Sequence, residues 1–237
     1  MLPRARAVLA VAPDPAAAAK LSAARLGSVL RKSGRQRNIE AWVSRLRTIF
    51  TGDYLHQPPA VERAMGQQTL ALVLQLDAAC RAADDLAEAA ATAFAEHPDA
   101  AILSSFPGIG PVTGARVLAE IGDDRTRFRD ARGLKSYAGA APVTVASGKS
   151  RIVRNRKVKN QRLAAAGYVW IFGALPSPEV KDLYDRRRAA GDRHAAAMRN
   201  VFNRLLGCLH HCLQTGQAFD PAKAFPLPES HPELAAA

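Results

Sequence analysis

The chain has 237 residues, 48% hydrophobic but only 6% aromatic, with 33 Lys and Arg against 21 Asp and Glu, a formal charge of +12 and a pI near 10.3. Much of the apolar content is alanine, which favours helix and buries little area, so a helix-dominated fold of one or two domains is expected. The basic excess points to a polyanionic partner, nucleic acid first; the three cysteines do not make a secreted disulfide framework, and no apolar run nears the roughly eighteen residues of a membrane span.

Residues 1–58 read as a basic N-terminal segment. Its start, "MLPRARAVLAVAP", has the order of a signal peptide, but the apolar run is too short for export, so a cytoplasmic, nucleoid-associated protein is expected. "DPAAAAKLSAARLGSVLRKSGRQRN" holds one or two short helices and ends in Arg31, Lys32, Arg35 and Arg37. Pro58-Pro59 then opens a long helix, residues 59–98. Met65, Leu72, Ala79 and Leu86 recur every seven residues there, with Leu76, Ala83 and Ala90 as a second line. That is a coiled-coil seam and implies a homo-oligomer; an amphipathic helix packed on its own domain has the same pattern.

A compact helical domain is expected over 99–220, followed by a flexible tail, 221–237. It opens with "LSSFPGIGPVTGARVLAEIGD", where Leu103 and Phe106 close one helix, Gly108-Ile109-Gly110 turns, and Pro111 opens another. This looks like a helix-hairpin-helix over 103–121. In such a motif glycines let the backbone approach a DNA phosphate and the next helix N-terminus receives it. Gly108, Gly110 and Thr113 are therefore candidate phosphate ligands. A tight helix–helix turn without nucleic acid fits the same residues.

Asp130 is a plausible N-cap for a short helix through "DARGLKSYAGAA". Next comes "PVTVASGKSR". Its Gly148-Lys149-Ser150 imitates the end of a phosphate-binding P-loop, but the glycine required five positions before Gly148 is Val143, which excludes that loop. Val143 and Val145 alternate towards Ser147-Gly148, and Ile152 and Val153 follow, so a small β-hairpin or extended loop carries Ser147 at its tip. Ser147 is in phase with the valines, so the turn must redirect it if they face the core. From Ala131 to Pro178 there are nine Lys or Arg and no Asp or Glu. Lys149, Arg151, Arg154, Arg156, Lys157, Lys159 and Arg162 are candidate DNA- or phosphate-binding residues. Ser147, with cations behind it, could attack a phosphodiester; alternatively the serine and glycine supply only turn chemistry.

"RNRKVKNQRLAAAGYVWIFGAL" reads as a helix that begins basic and becomes apolar, with Leu163, Ala166, Trp170 and Ala174 on one side. Ser177-Pro178-Glu179 starts another helix. The last, His194 to Gln214, carries Met198, Phe202, Leu205, Leu209 and Cys212. Cys208, His211 and Cys212 invite a zinc reading, but no second ligand cluster completes it, so no metal site is expected. The acidic residues of the first hundred positions lie mostly on the long helix and form no nuclease centre.

The ordered set "FPGIGPVTGARVLAEIGDDRTRF", "KSYAGAAPVT", "ASGKSR" and "GDRHAAAMRNVFNRLLGCLHHCL" resembles the C-terminal half of insertion-sequence one-ten family (DEDD) transposases, from about Asp14 to Asp220. The resemblance implies a serine-type DNA transposase or recombinase, with DNA and a structured guide RNA as partners. It implies that Ser147 is the catalytic nucleophile, forming a phosphoserine link to DNA. In the family a RuvC-like domain supplies four acidic ligands for magnesium; the match begins beyond it, so no cofactor is expected in this chain. The rival reading is a non-catalytic helix-hairpin-helix DNA-binding or assembly protein.

Overall fold

The computed structural model describes residues 3–225, which are mainly α-helical with one two-stranded sheet among them. The chain divides within its longest helix into two compact units, Met1–Leu86 and Ala87–Ala237.

In the first unit, α1 (Pro3–Val11), α2 (Pro15–Ala19), α3 (Ala23–Lys32) and α4 (Ile39–Phe50) precede the start of α5 (Pro59–Ala95). Asp14 caps α2 by accepting from the Ala17 amide at 2.7 Å, and Pro15 presets the first helical turn. Ser22 caps α3. Asn38 precedes α4 in the left-handed region at φ 54, where asparagine is tolerated. Val8, Leu26, Leu30 and Val43 form a small core, with Ile39, Leu46 and Phe50 against it. The basic segment is therefore packed, and α1 and α4 add to the one or two helices expected there.

α5 is continuous, in keeping with the absence of proline after Pro59 and its single glycine. Its buried positions in this unit are Gly66 and Val73. The heptad line faces elsewhere: Met65, Leu72 and Leu86 are 58%, 56% and 69% exposed. Among the described residues nothing buries that stripe.

The second unit takes in the end of α5, then α6 (Ala100–Ser104), α7 (Pro111–Ile121), α8 (Ala131–Tyr137), β1 (Val143–Ser147), β2 (Ser150–Arg154), α9 (Gln161–Ala174), α10 (Pro178–Ala189), α11 (His194–Thr215) and α12 (Pro221–Ala224). α11 packs against α8, α9 and α10. Its expected stripe is buried: Met198, Phe202, Leu205, Leu209 and Cys212 all join the core. So does the α9 stripe of Leu163, Ala166, Trp170 and Ala174. α9 begins later than expected. Asn160 accepts from the Leu163 amide at 2.8 Å and caps the helix there, so Arg156, Lys157 and Lys159 precede it in irregular chain. At the other end Phe219 stacks on Phe106 at 4.3 Å between centroids, and Ala224 and Phe225 are buried. The packed body thus reaches Phe225, beyond the start of the expected tail; positions 226–237 of that tail lie outside the described residues. No helix among the described residues is long and apolar enough to cross a membrane.

Candidate nucleic-acid interface

Between α8 and α9 the chain leaves the helical body and returns through a closed neck. The Asn160 backbone amide donates to the Tyr137 carbonyl at 2.8 Å. Its side-chain NH2 donates to both Tyr137 Oη and Glu120 Oε2, each at 2.6 Å, while its side-chain oxygen caps α9. Both donors of the Asn160 side chain and its acceptor are therefore used. Arg127 completes the joint, donating to Tyr137 Oη at 2.9 Å and to the carbonyls of Glu120 and Ile121 at 3.1 and 2.7 Å. Its guanidinium lies 5.0 Å from the Tyr137 ring centroid. Sequence reasoning passed over this joint. An asparagine just ahead of an apolar helical run was the available signal.

Beyond the neck stands the hairpin. β1 and β2 pair antiparallel with Val143 opposite Arg154, Val145 opposite Ile152 and Ser147 opposite Ser150. Gly148 and Lys149 alone form the loop. Gly148 takes φ 54 and Lys149 does not have positive φ, the distribution of a type II′ turn, whose twist matches the strands. Val143 is half-buried, but Val145 and its partner Ile152 are 49% and 46% exposed, so the strand does not carry this face into the core and nothing has to redirect Ser147. And Ser150 is the direct cross-strand partner of Ser147, so both serines sit on one face at the outer end of the ladder. Register alone does not choose between them. Among the described residues neither hydroxyl has a hydrogen-bond partner.

The cations divide by support. Lys149, Arg154 and Lys157 are exposed. Arg156 donates to the Ala141 carbonyl at 3.4 Å, and Arg162 lies 3.9 Å from Glu120 while remaining 86% exposed. Lys159 is half-buried. Arg151 lies in β2, and its side chain is outside the described residues. Nearby, Arg199 of α11 donates to the Asn155 side chain, which fixes the chain just past β2.

The Gly108–Gly110 turn is elsewhere. Gly108, at φ +76, packs on the end of α9: a Cβ there would stand 2.3 Å from the Ala174 nitrogen. The Trp170 indole donates to the Pro107 carbonyl at 3.0 Å. The neck binds Glu120, near the C-terminal end of α7, through Asn160 at the start of α9. The turn meets the C-terminal end of α9. The hairpin root and the glycine turn therefore lie at opposite ends of the antiparallel α7–α9 pair, about 15 Å apart from the rise of α7. Gly108, Gly110 and Thr113 do not join the hairpin cations in one cluster. Gly108 approaches α9, while Gly110 and the first turn of α7 stay open, with the Val112 and Thr113 amides unmet among the described residues.

Cys212 sits in the core and Cys208 packs against it. Burial pushes both thiols up from their ordinary value, for Cys208 against the opposing pull of Arg204 and Lys135.

Known proteins place this architecture. Residues 100–184, which span the turn, the neck and the whole hairpin, match the profile of the transposase IS116/IS110/IS902 family. These residues belong to that family. A protein named as the mini-circle transposase for IS117, from Streptomyces coelicolor, is 59% identical over 224 residues, 94% of this chain and 54% of its own length. The 42 kDa protein of insertion element IS900, from Mycobacterium paratuberculosis, is 33% identical over 131 residues, covering 54% of this chain and 33% of that protein. The 43.6 kDa protein of IS110, also from Streptomyces coelicolor, is 33% identical over 126 residues, 52% of this chain and 31% of its own. The chain thus spans about half the length of the IS117 relative, in keeping with the C-terminal half of an IS110-family transposase.

Proposed function

We propose that this chain is the serine-bearing portion of a DNA transposase, with Ser147 as nucleophile and the hairpin cations holding the DNA backbone. The observation that carries the reading is Ser147-Gly148 at the exposed end of the β1–β2 hairpin, within the residues that match the transposase family. The choice of Ser147 over Ser150 rests on the resemblance, in which the nucleophilic serine precedes a glycine, as Ser147 precedes Gly148 in "ASGKSR".

Ser147 Oγ attacks the phosphorus of a DNA phosphodiester. A serine–phosphate ester forms, one DNA P–O bond breaks, and the released hydroxyl end carries off a proton. Lys149, next to the serine in the turn, stabilises the charge of the pentavalent phosphorus group, while Arg154, opposite Val143 at the root of the ladder, holds the DNA backbone. Reversal with a second DNA end as nucleophile restores a phosphodiester and frees the serine. The resemblance extends the partners to a structured guide RNA and assigns magnesium to an acidic domain, and the basic composition supports a cytoplasmic, nucleoid-associated protein. Among the described residues no three His, Cys, Asp or Glu side chains converge on a metal position. The exposed Met65–Leu72–Leu86 stripe of α5 supplies the seam for a homo-oligomer.

Ser147→Ala tests the reading, with the acidic domain and any required guide supplied. The covalent protein–DNA adduct should vanish while DNA binding is retained, and Ser150→Ala should keep the adduct. An adduct that persists in Ser147→Ala, or maps to Ser150 or Tyr137, overturns the assignment. Absence of an adduct from every form of the complete assembly favours the binding-module reading.

A further inference from the structure

The first unit carries a charge separation that the serine does not explain. From Pro15 to Thr51 the chain holds Lys20, Arg25, Arg31, Lys32, Arg35, Arg37, Arg45 and Arg47 against Glu40 alone. From Gly52 to Leu86 the balance reverses, with Asp53, Glu62, Asp77, Asp84 and Asp85 against Arg63 and Arg81. Among the described residues the ion pairs of this unit join Arg6 to Asp77 and His56 to Glu62. Among the described residues no carboxylate lies within ion-pair distance of the α2–α4 cations.

Two of these cations are held in place. Trp42, on α4, is 37% exposed beside the buried Val43. The Arg35 guanidinium lies 4.5 Å from its ring centroid and that of Arg45 lies 5.4 Å away. Arg35 Nε also donates to the Arg37 carbonyl at 3.1 Å, which fixes the side chain from its own turn. A guanidinium lying over an aromatic ring keeps its in-plane N–H groups at the edge, where they can donate outward. Two like charges brought to one ring repel each other, and bound anions relieve that repulsion.

We propose that Arg35, Trp42 and Arg45 form a phosphate clamp for a nucleic-acid backbone, a second binding surface distinct from the hairpin and independent of Ser147. Trp42 is the platform and the two guanidiniums are the ligands. Arg31, Lys32 and Arg37, in the last turn of α3 and the loop that follows, add charge for neighbouring phosphates. The close phosphate spacing of a nucleic-acid strand suits such a cluster. It extends the nucleic-acid part of the proposed function and does not require the transposition chemistry.

The test uses the full chain with a short duplex DNA and, in parallel, an RNA stem-loop of equal phosphate number. Arg35→Gln with Arg45→Gln should reduce the slope of log affinity against log salt by about 2 on at least one of them, near 0.9 per lost DNA phosphate. Arg35→Lys with Arg45→Lys should keep the slope yet weaken binding, because an ammonium does not make the planar fork. Both pairs are surface changes, and unchanged circular dichroism checks the fold. The chain has two tryptophans, and Trp170 is fully buried, so iodide quenching reports Trp42. Saturating nucleic acid should shield it. The DNA and RNA arms identify the source of the phosphate. An unchanged slope in both arms, or quenching that saturating DNA and RNA both leave intact, overturns the clamp. Gln at Arg154, Arg156, Lys157 and Lys159 tests the hairpin separately: if that variant binds normally and the Arg35/Arg45 variant does not, the hairpin reading fails and the clamp stands.

Discussion

Two glycine turns in the second unit look alike in backbone and differ in what surrounds them. Gly108 and Gly148 have φ of +76 and +54, a region that side chains with a Cβ rarely adopt. At Gly108 the space is already taken: an added Cβ would lie 2.3 Å from the Ala174 nitrogen and 2.4 Å from the Gly173 carbonyl carbon. At Gly148 nothing lies within 4 Å. The first glycine serves helix packing and the second only turns a strand. A glycine in a suspected DNA-binding motif can thus be required by the protein's own backbone.

Substitution should separate the two. Gly108→Ala is expected to have the largest effect, at least about 3 kcal/mol, because positive-φ strain adds to a clash with backbone that cannot swing aside. Thermal melting should show a large drop or loss of the cooperative transition. Gly110→Ala is the control: its φ is −91 and its surroundings are empty, so it should lose only the advantage of glycine over alanine at the N-cap of α7, about 1 kcal/mol. Equal effects at the two positions would break the distinction drawn here.

The neck ranks second. Asn160→Ala removes the helix cap and leaves Glu120 and Tyr137 without their shared donor, an expected cost of about 2 kcal/mol. Its signature should be local as well as global: amide exchange through β1 and β2 should speed up more than in α11. Asn160→Asp keeps the cap acceptor but faces Glu120 with like charge, so it should recover less than half the loss. Full recovery would confine the role of Asn160 to capping.

How legible this was depends on what sets each feature. The α9 and α11 stripes were readable because helical periodicity alone determines which residues go inward. α4 has equally good spacing in Ile39, Val43, Leu46 and Phe50, but its arginines drew the segment towards a reading from charge. The packed end was hidden because Phe219 and Phe225 lie among prolines and alanines, and only Phe106, over a hundred positions earlier, gives Phe219 its partner. The hairpin was legible, whereas the pairing of Ser147 with Ser150 required knowing that its loop takes two residues. Gly108 shows the deeper limit. A sequence records that a backbone comes close to something, but whether that is a helix or a phosphate is decided in three dimensions.

The smallest expected effect returns to the open turn. Gly148→Ala should cost about 1 kcal/mol, the price of a side chain in a left-handed position with no clash to add to it. A two-stranded ladder with exposed faces is marginal by itself, so that cost should appear as fraying between Val145 and Ile152. The helical core, which buries none of these residues beyond the half-buried Val143, should keep its melting temperature. Gly148→Asn should fray less, since asparagine tolerates the left-handed region. Cross-strand nuclear Overhauser contacts in the three proteins measure the order directly. If Ser147 acts from the paired hairpin, adduct formation in the complete assembly should fall about fivefold in Gly148→Ala, in step with the lost pairing. A frayed hairpin with an unchanged adduct rate would mean that DNA itself orders the tip, and that the turn seen here is only one of the forms from which the serine reacts.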